Sequence, residues 1–167
     1  MRRALLYAAL ALVLLFSTGC GDSVSPAVPF DVVYRVCGEL GAASDGVIIS
    51  DLGVAAAYER ASAIIGADVF DSLDGWAVFL PYDGAFRGDI STPDLSTFAH
   101  ESVDNCACCE FGVILLGDGD GDLICRRLSM RVSDGSGCVV RQGRFVVYSV
   151  RGGKEVDAAV RLLECVD

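Results

Sequence analysis

One short stretch of the chain carries several residues that could do chemistry. Cys106, Cys108 and Cys109 lie within four positions, and His100, the only histidine, precedes them. Thiolate and imidazole groups suit copper(I) or zinc, so these four residues are candidates for a soft metal site. The spacing of Cys106 and Cys109 is also that of redox dithiols. The residues after Cys109 read as a strand, and no thioredoxin-like βαβ pattern precedes them, which disfavours the redox interpretation.

The other cysteines of the domain are Cys37, Cys125, Cys138 and Cys165. In an exported protein cysteines form disulfides by default, so the seven from Cys37 onward predict two or three bridges and at least one leftover thiol. Cys108 and Cys109 should choose different partners, because a bridge between neighbours is strained. Cys106 with Cys138 and Cys37 with Cys165 are candidate pairings, but the sequence does not decide the connectivity.

Three carboxylates alternate with glycines at Asp118, Asp120 and Asp122, as they do at the start of a calcium-binding loop. An EF-hand loop would next need glycine at its sixth position and glutamate at its twelfth, where this chain has Leu123 and Ser129. Apolar runs flank the segment on both sides. A solvated hairpin turn is therefore the simpler interpretation, and a calcium site is the alternative.

Catalytic signatures are scarce. Any Ser-His-Asp or Cys-His catalyst would have to use His100. The chain contains neither a Gly-x-Ser-x-Gly elbow nor a His-Glu-x-x-His helix. We expect a protein with no enzymatic activity and no cofactor, and we keep a small metal-binding or redox protein as the alternative.

The hydrophobic pattern indicates which elements would position these residues. The best helix signal lies near residues 52–65, between capping residues at Ser50-Asp51 and a stop at Gly66. Apolar or alternating runs separated by glycine-rich turns predict strands at residues 30–37, 47–49, 76–82, 95–101, 111–116, 123–132, 139–150 and 156–163. The last run, extended to residue 165, could equally be a short helix.

Strands joined by such short turns pair antiparallel, because a parallel crossover needs about a dozen residues or more. The sequence therefore predicts an α+β fold: an antiparallel β-sheet, open or curled toward a barrel or sandwich, with one main helix near residues 52–65. A single disulfide-containing domain is expected over residues 30–167.

The first nineteen residues have the parts of a secretory signal: a basic start at Arg2 and Arg3, an apolar run, and small residues before Cys20. The run is shorter than the roughly 20 residues that cross a bilayer. Ser17-Thr18-Gly19-Cys20 resembles a lipobox, although Ser17 replaces the usual leucine. The resemblance implies a bacterial lipoprotein with lipid on Cys20, and Gly21 after the anchor favours the outer membrane over the inner one.

Residues 20–29 are predicted to form a flexible linker between the lipid and the domain. The signal removes two of the 13 basic residues and none of the 23 acidic ones, so the mature part has a net charge of −12. Nucleic acid and anionic lipid are poor partners for such a surface. The expected partners are the membrane, through the lipid, and another envelope protein.

Residues 68–163 resemble small envelope proteins with a PrcB-type C-terminal domain. The features that carry the likeness, in order, are Val69-Phe70-Asp71, a strand, a turn from Gly84 to Gly88, and Ser136-Gly137-Cys138 before a further strand. This chain has Gly88-Asp89-Ile90 and Arg144-Phe145 where the family commonly has Gly-Gly-Tyr and Pro-Tyr. The resemblance implies a long hairpin in mid-domain and a non-catalytic subunit that stabilises a surface protease. We therefore predict a lipoprotein that binds or stabilises a partner protein.

Overall fold

The structure is a computed structural model that describes residues 24–51, 55–70, 72–82, 108–118, 121–132 and 137–166. In chain order its elements are α1 (Val28–Glu39), β1 (Gly46–Ser50), α2 (Ala55–Ile65), α3 (Ala67–Phe70), β2 (Leu73–Pro81), β3 (Phe111–Leu116), α4 (Gly121–Arg131), β4 (Cys138–Gln142), β5 (Phe145–Ser149) and α5 (Lys154–Leu163). Within these residues no helix has the length and apolar character needed to cross a membrane.

The strands form one sheet in the order β1-β2-β3-β5-β4, and every neighbouring pair is antiparallel. The predicted α+β class with an antiparallel sheet is confirmed. The sheet is open and does not curl into a barrel, because β1 and β4 lie at opposite edges. Strand β3 lies in the middle and all six of its residues are buried, so it is covered on both faces.

Helices cover both faces of the sheet and enclose two hydrophobic clusters. On one face α1 and α5 pack over side chains that include Phe79, Phe111 and Phe145. On the other face α2 and α4 pack over Trp76, Ile114 and other sheet residues. The fold is therefore a three-layer sandwich with the sheet in the middle.

The strand predicted at residues 30–37 is wrong, because this segment is part of α1. Its buried residues are Pro29, Val32, Val33, Val36 and Cys37, a three-and-four spacing that places them on one helical face. Pro29 lies in the first turn, where proline suits a helix. Burial of that face against the sheet outweighs the β preference of the valines.

The strand predicted at residues 123–132 is also wrong, because α4 occupies it. Ile124 and Leu128 are four residues apart and buried, and Arg131 lies in the last turn, where a cation suits the helix dipole. Asp118 follows β3 and Asp122 lies in α4, so the prediction of a hairpin turn between two strands is wrong. Helix α4 also occupies the part of the chain in which the family resemblance implies a long hairpin.

The other element predictions have mixed outcomes. The helix predicted near residues 52–65 is confirmed as α2, but it is not the one main helix of the fold, because α1, α4 and α5 have similar lengths. Gly66 follows α2 with a φ of 105°, a backbone conformation that favours glycine. The run at residues 139–150 is a hairpin of β4 and β5, whose turn contains Gly143 with a φ of 55°. Residues 156–163 take the helical alternative as part of α5. The strand predicted at residues 95–101 lies outside the described residues.

The domain begins earlier than the predicted boundary at residue 30. Val24 and Val28 pack against the α1 face of the core, and Pro29 is buried in α1. Gly75 allows the backbone of Pro26 to approach closely, since a Cβ at Gly75 would lie 2.5 Å from the Pro26 carbonyl oxygen. The last six residues of the predicted linker, 24–29, therefore belong to the domain.

Candidate functional site

The residues with functional potential gather at one end of the sheet, here called the cavity end. It is where β1, β3 and β4 start and where β2 and β5 finish, because Gly46 pairs with Pro81, Phe79 with Phe111, and Ser149 with Cys138. The opposite end contains Gly75, which touches Pro26. The N-terminal segment therefore joins the domain at the end remote from the candidate site.

An open cavity of about 340 Å³ lies between α1 and β1 at the cavity end. The residues that line it are mostly apolar or aromatic, and they include Phe30, Tyr34, Val47, Ile48, Phe79 and Tyr82. One turn apart on α1, the rings of Phe30 and Tyr34 stack with centroids 6.2 Å apart, and Tyr34 is 62% exposed. The cavity thus presents an aromatic wall to solvent.

Gly46 shapes the floor of this cavity. A Cβ added to Gly46 would lie 2.5 Å from Cζ of Phe79, a distance that real Cβ atoms do not adopt. Only glycine therefore lets the start of β1 lie directly against the Phe79 ring.

The outer edge of β1 presents main-chain groups that are not used by the sheet. Tyr82 N–H donates to the Asp45 carbonyl at one end of β1, and Asp51 N–H donates to the Trp76 carbonyl at the other. Bonded and non-bonded pairs alternate in an antiparallel ladder, so every second residue between Asp45 and Asp51 turns its N–H and C=O away from β2.

These outward-facing residues are Gly46, Ile48 and Ser50. Gly46 and Ile48 are half-buried, whereas Ser50 is buried. Among the described residues, β1 has a strand neighbour only on its β2 side. The accessible length of this edge therefore runs from Gly46 to Ile48, directly beside the cavity.

A buried polar cluster lies at the cavity end on the α5 side of the sheet. Glu155, in the first turn of α5, is fully buried and accepts a hydrogen bond from Cys109 N–H at 3.3 Å. Ser149 is also buried and donates to Glu155 Oε2 at 3.3 Å or to the Arg151 carbonyl at 3.0 Å. The Cys109 thiol lies 3.1 Å from Ser149 Oγ and donates to the Arg151 carbonyl at 2.8 Å.

The surroundings of Cys109 keep its sulfur protonated. Burial raises the pKa of this thiol, and the neighbouring Glu155 carboxylate raises the same pKa further, while the Ser149 hydroxyl opposes both effects. A reactive or metal-binding cysteine needs the thiolate, which a raised pKa disfavours. The cluster therefore favours a structural, hydrogen-bonded thiol over a nucleophile.

A second buried cluster lies at the same end on the other face. Glu110 is 4% exposed and forms a two-pronged ion pair with Arg131 of α4, at 2.7 Å from Nε and 2.8 Å from Nη2. The hydroxyl of the fully buried Tyr148 donates to Glu110 Oε1 at 3.3 Å. Burial raises the pKa of Tyr148 well above its usual range, and the Glu110 charge adds to that shift. This cluster ties α4 to the start of β3 and the end of β5.

The predicted cysteine sites are spread through the fold. Cys37 and Cys108 are buried, Cys165 is exposed, and Cys109, Cys125 and Cys138 are partly exposed. No disulfide joins any two of these six residues, so Cys37 is not paired with Cys165. Cys138 is a free cysteine, so its predicted pairing with Cys106 is not formed. Cys20, Cys106 and His100 lie outside the described residues, which leaves the soft metal site as a prediction.

The predicted calcium residues are only partly described. Asp118 is exposed after β3, and Asp122 in the first turn of α4 pairs with Arg141 at 2.9 Å. Asp120 lies outside the described residues. Across the described ranges, no group of three or more His, Cys, Asp or Glu side chains is arranged to hold a metal ion.

Comparisons with family models, with curated proteins and with solved structures find no match to this chain. The functional interpretation of the site therefore depends on its geometry. Sequence reasoning missed Glu110, Tyr148, Ser149 and Glu155. Two signals were present: Glu110 stands directly before the apolar run of β3, and Glu155 follows Gly152-Gly153-Lys154 at the place where α5 begins.

Proposed function

We propose that this chain is a non-catalytic lipoprotein of the bacterial cell envelope that binds a partner protein at the cavity end of its sheet. The observation that carries the proposal is the open aromatic cavity beside an edge strand. Clefts lined by aromatic side chains, next to main-chain groups that can accept a further strand, are common sites of protein recognition.

The position of the N-terminal segment supports this display. With lipid on Cys20, only four peptide units separate the anchor from Val24, which spans at most about 14 Å. Val24 packs on the core, and the neighbouring Pro26 touches Gly75 at the end opposite the cavity. The nine residues of β2 add about 30 Å between the two ends. The lipid would therefore hold the domain close to the bilayer and direct the cavity away from it.

The buried polar clusters support a non-catalytic role. Cys109, Ser149 and Glu155 bond to one another, and Glu110 bonds to Arg131 and Tyr148. These groups join helices to the sheet. The pKa values of the two weak acids among them, Cys109 and Tyr148, are raised. The alternative, a metal-binding or redox protein, would need His100 and the Cys106, Cys108 and Cys109 cluster to act together.

The test is crosslinking in intact cells followed by purification of the protein. We expect one defined envelope protein to be recovered with the wild type and with His100→Ala. Tyr34→Ala should reduce the recovery, because this exposed ring lines the cavity. Met130→Ala is the matched control, since Met130 is 70% exposed on α4, away from the cavity. Recovery unaffected by Tyr34→Ala, or a bound metal lost in His100→Ala, would refute the proposal.

The lipid anchor has its own test. Wild-type cells should incorporate a labelled fatty acid into this protein, and Cys20→Ser should abolish the label. Persistent labelling of the variant, or a mature protein that begins elsewhere than at Cys20, would contradict the anchor.

Oxidation is the remaining part of the proposal. Protein isolated from the envelope should show no more than about three titratable thiols after denaturation, because cysteines pair in this compartment, and the six thiols that the structure describes would then belong to the reduced form. Reduction should then lower stability by about 2 to 4 kcal/mol per bridge. Seven free thiols would exclude disulfides and favour the metal-binding alternative.

A further inference from the structure

We infer that the partner binds as an added strand on the outer edge of β1, as an extended segment that inserts an apolar side chain into the neighbouring cavity and carries basic residues beside it. The inference rests on the proposed function and specifies its chemistry. Three observations carry it: the outward main-chain groups of β1, the position of the cavity, and the charges around them.

The main-chain groups give the mode of binding. Gly46 and Ile48 each turn one N–H and one C=O away from β2. These two residues are two positions apart, which is the repeat of hydrogen-bonded residues in an antiparallel ladder. A partner strand that pairs with them gains these hydrogen bonds irrespective of its side chains. A folded surface without an exposed strand would not offer main-chain groups at the same spacing.

The cavity gives the specificity. It opens at Gly46, Val47 and Ile48, so it adjoins the accessible part of the edge. Its volume of about 340 Å³ is near the lower limit of ligand pockets, which run from about 300 to 1,000 Å³, and suits one or two side chains more than a large cofactor. An aliphatic or aromatic side chain of the added strand would contact Phe30, Tyr34 and Phe79.

Charge identifies the kind of strand. Asp45 lies at the cavity end of β1, and Asp31, which follows the cavity residue Phe30, is exposed on α1, against the single cation Arg35 on that helix. This acidic rim favours lysine or arginine on the partner. A second copy of this chain would bring the same acidic rim against itself, which disfavours pairing of two β1 edges.

The first experiment selects short random peptides displayed on phage against the intact lipoprotein in lipid nanodiscs. We expect enrichment of alternating apolar residues flanked by lysine or arginine. N-methylation of alternate backbone amides in an enriched peptide should weaken binding at least about tenfold, because it removes main-chain donors while keeping every side chain. Enrichment of helical or acidic peptides, enrichment of none, or indifference to N-methylation would overturn the inference.

Matched variants locate the bound peptide. Ile48→Pro removes an outward N–H that β2 does not use, and Val139→Pro makes the same change at the outward-facing position of β4, the other edge strand. We expect at least about tenfold weaker binding for Ile48→Pro and no change for Val139→Pro. Tyr34→Ala and Met130→Ala repeat the comparison with exposed side chains, so the inference stays testable should Ile48→Pro unfold. Equal effects within each pair would overturn it.

The charge requirement is tested with the double variant Asp31→Asn with Asp45→Asn, against Asp118→Asn at the opposite end of the sheet. The double variant should bind the selected basic peptide several-fold more weakly and with less dependence on salt, whereas Asp118→Asn should not. Unchanged salt dependence would contradict the charge argument. Cellular recovery of a partner that ignores the Ile48 and Tyr34 variants would overturn the strand inference alone, whereas recovery of no partner would overturn the proposed function.

Discussion

Two buried carboxylates, Glu110 and Glu155, lie at the cavity end of the sheet, one on each face. Glu110 is held by a cation, because both of its oxygens accept from the Arg131 guanidinium. Glu155 is held by the uncharged N–H of Cys109 and hydroxyl of Ser149. Among the described residues, the cation that pairs with Glu155 is Lys154, which is 4.0 Å away and 57% exposed, so water screens it.

The difference indicates two ways of anchoring a helix to the same sheet. On the α4 face the anchor is an ion pair, which costs much to break because it leaves a charge without its partner. On the α5 face the anchor is a set of hydrogen bonds at the start of a helix, where a carboxylate suits the helix dipole. Each carboxylate also lies beside a weak acid, Tyr148 or Cys109, whose pKa burial raises.

The largest predicted effect is on the free energy of unfolding, when each buried glutamate is changed to glutamine in turn. Glu110→Gln should lower the free energy of unfolding by about 3 kcal/mol, because Arg131 keeps its charge and loses the opposing one. Glu155→Gln should cost less than about 1 kcal/mol, because the amide oxygen can still accept from Cys109 N–H. Urea unfolding monitored by circular dichroism measures both values.

A double variant tests the reason for this difference. Adding Arg131→Met to Glu110→Gln should restore at least half of the lost stability, because it removes the unpaired charge. Equal costs for Glu110→Gln and Glu155→Gln would show that the two anchors do not differ as the contacts indicate.

The second prediction concerns alkaline pH and the face of Glu110. In the unfolded chain Tyr148 ionises near its usual pKa of 10.0, whereas in the fold its pKa is raised, so it stays neutral. Stability is therefore complete below about pH 10 and is lost as the pH rises further, with a limiting slope of about 1.4 kcal/mol per pH unit.

The control is Tyr148→Phe, which removes this titrating group. Its free energy of unfolding should fall less steeply than that of the wild type above pH 10, as measured by urea unfolding at several pH values. Identical slopes in the two proteins would contradict a raised Tyr148 pKa as the cause.

The sequence predicted the fold class and much of the sheet, and the reasons are local. Residues 111–116 form an unbroken apolar run, and residues 52–65 lie between helix start and stop signals, so both elements were found. Residues 30–37 and 123–132 are also rich in apolar residues, and β preference was given more weight than helical spacing. Both segments are helices because burial of Val32, Val36, Ile124 and Leu128 against the sheet outweighs that β preference.

The candidate site was largely beyond prediction because it is built from distant parts of the chain. The cavity joins α1, β1 and the end of β2, and Glu155 lies 46 residues from Cys109. Cys109 was singled out for its neighbours in sequence, Cys106 and Cys108, whereas its described contacts are Ser149, Arg151 and Glu155. Only the pairing order of the strands brings these residues together.

The smallest predicted effect concerns the thiol on the face of Glu155. Burial is the largest cause of the raised Cys109 pKa, and the Glu155 charge adds a smaller part. Glu155→Gln removes that charge, so it should lower the thiol pKa and increase the thiolate fraction at a fixed pH. We expect a few-fold faster alkylation of Cys109 by iodoacetamide in reduced protein near pH 8.

Peptide mapping by mass spectrometry gives the alkylation rate of each cysteine separately. Cys165 is the internal control, because it is exposed after α5 and bonds to the carbonyl of Arg161, not to Glu155. Its rate should be the same in wild type and variant, which would exclude a general loosening of the fold. Glu110→Gln should leave Cys109 alkylation unchanged provided that the protein remains folded, because Glu110 bonds to Arg131 and Tyr148 on the opposite face. An equal increase of the Cys109 alkylation rate in both variants would mean that the two faces are coupled. The proposal that α4 and α5 are anchored separately would then be wrong.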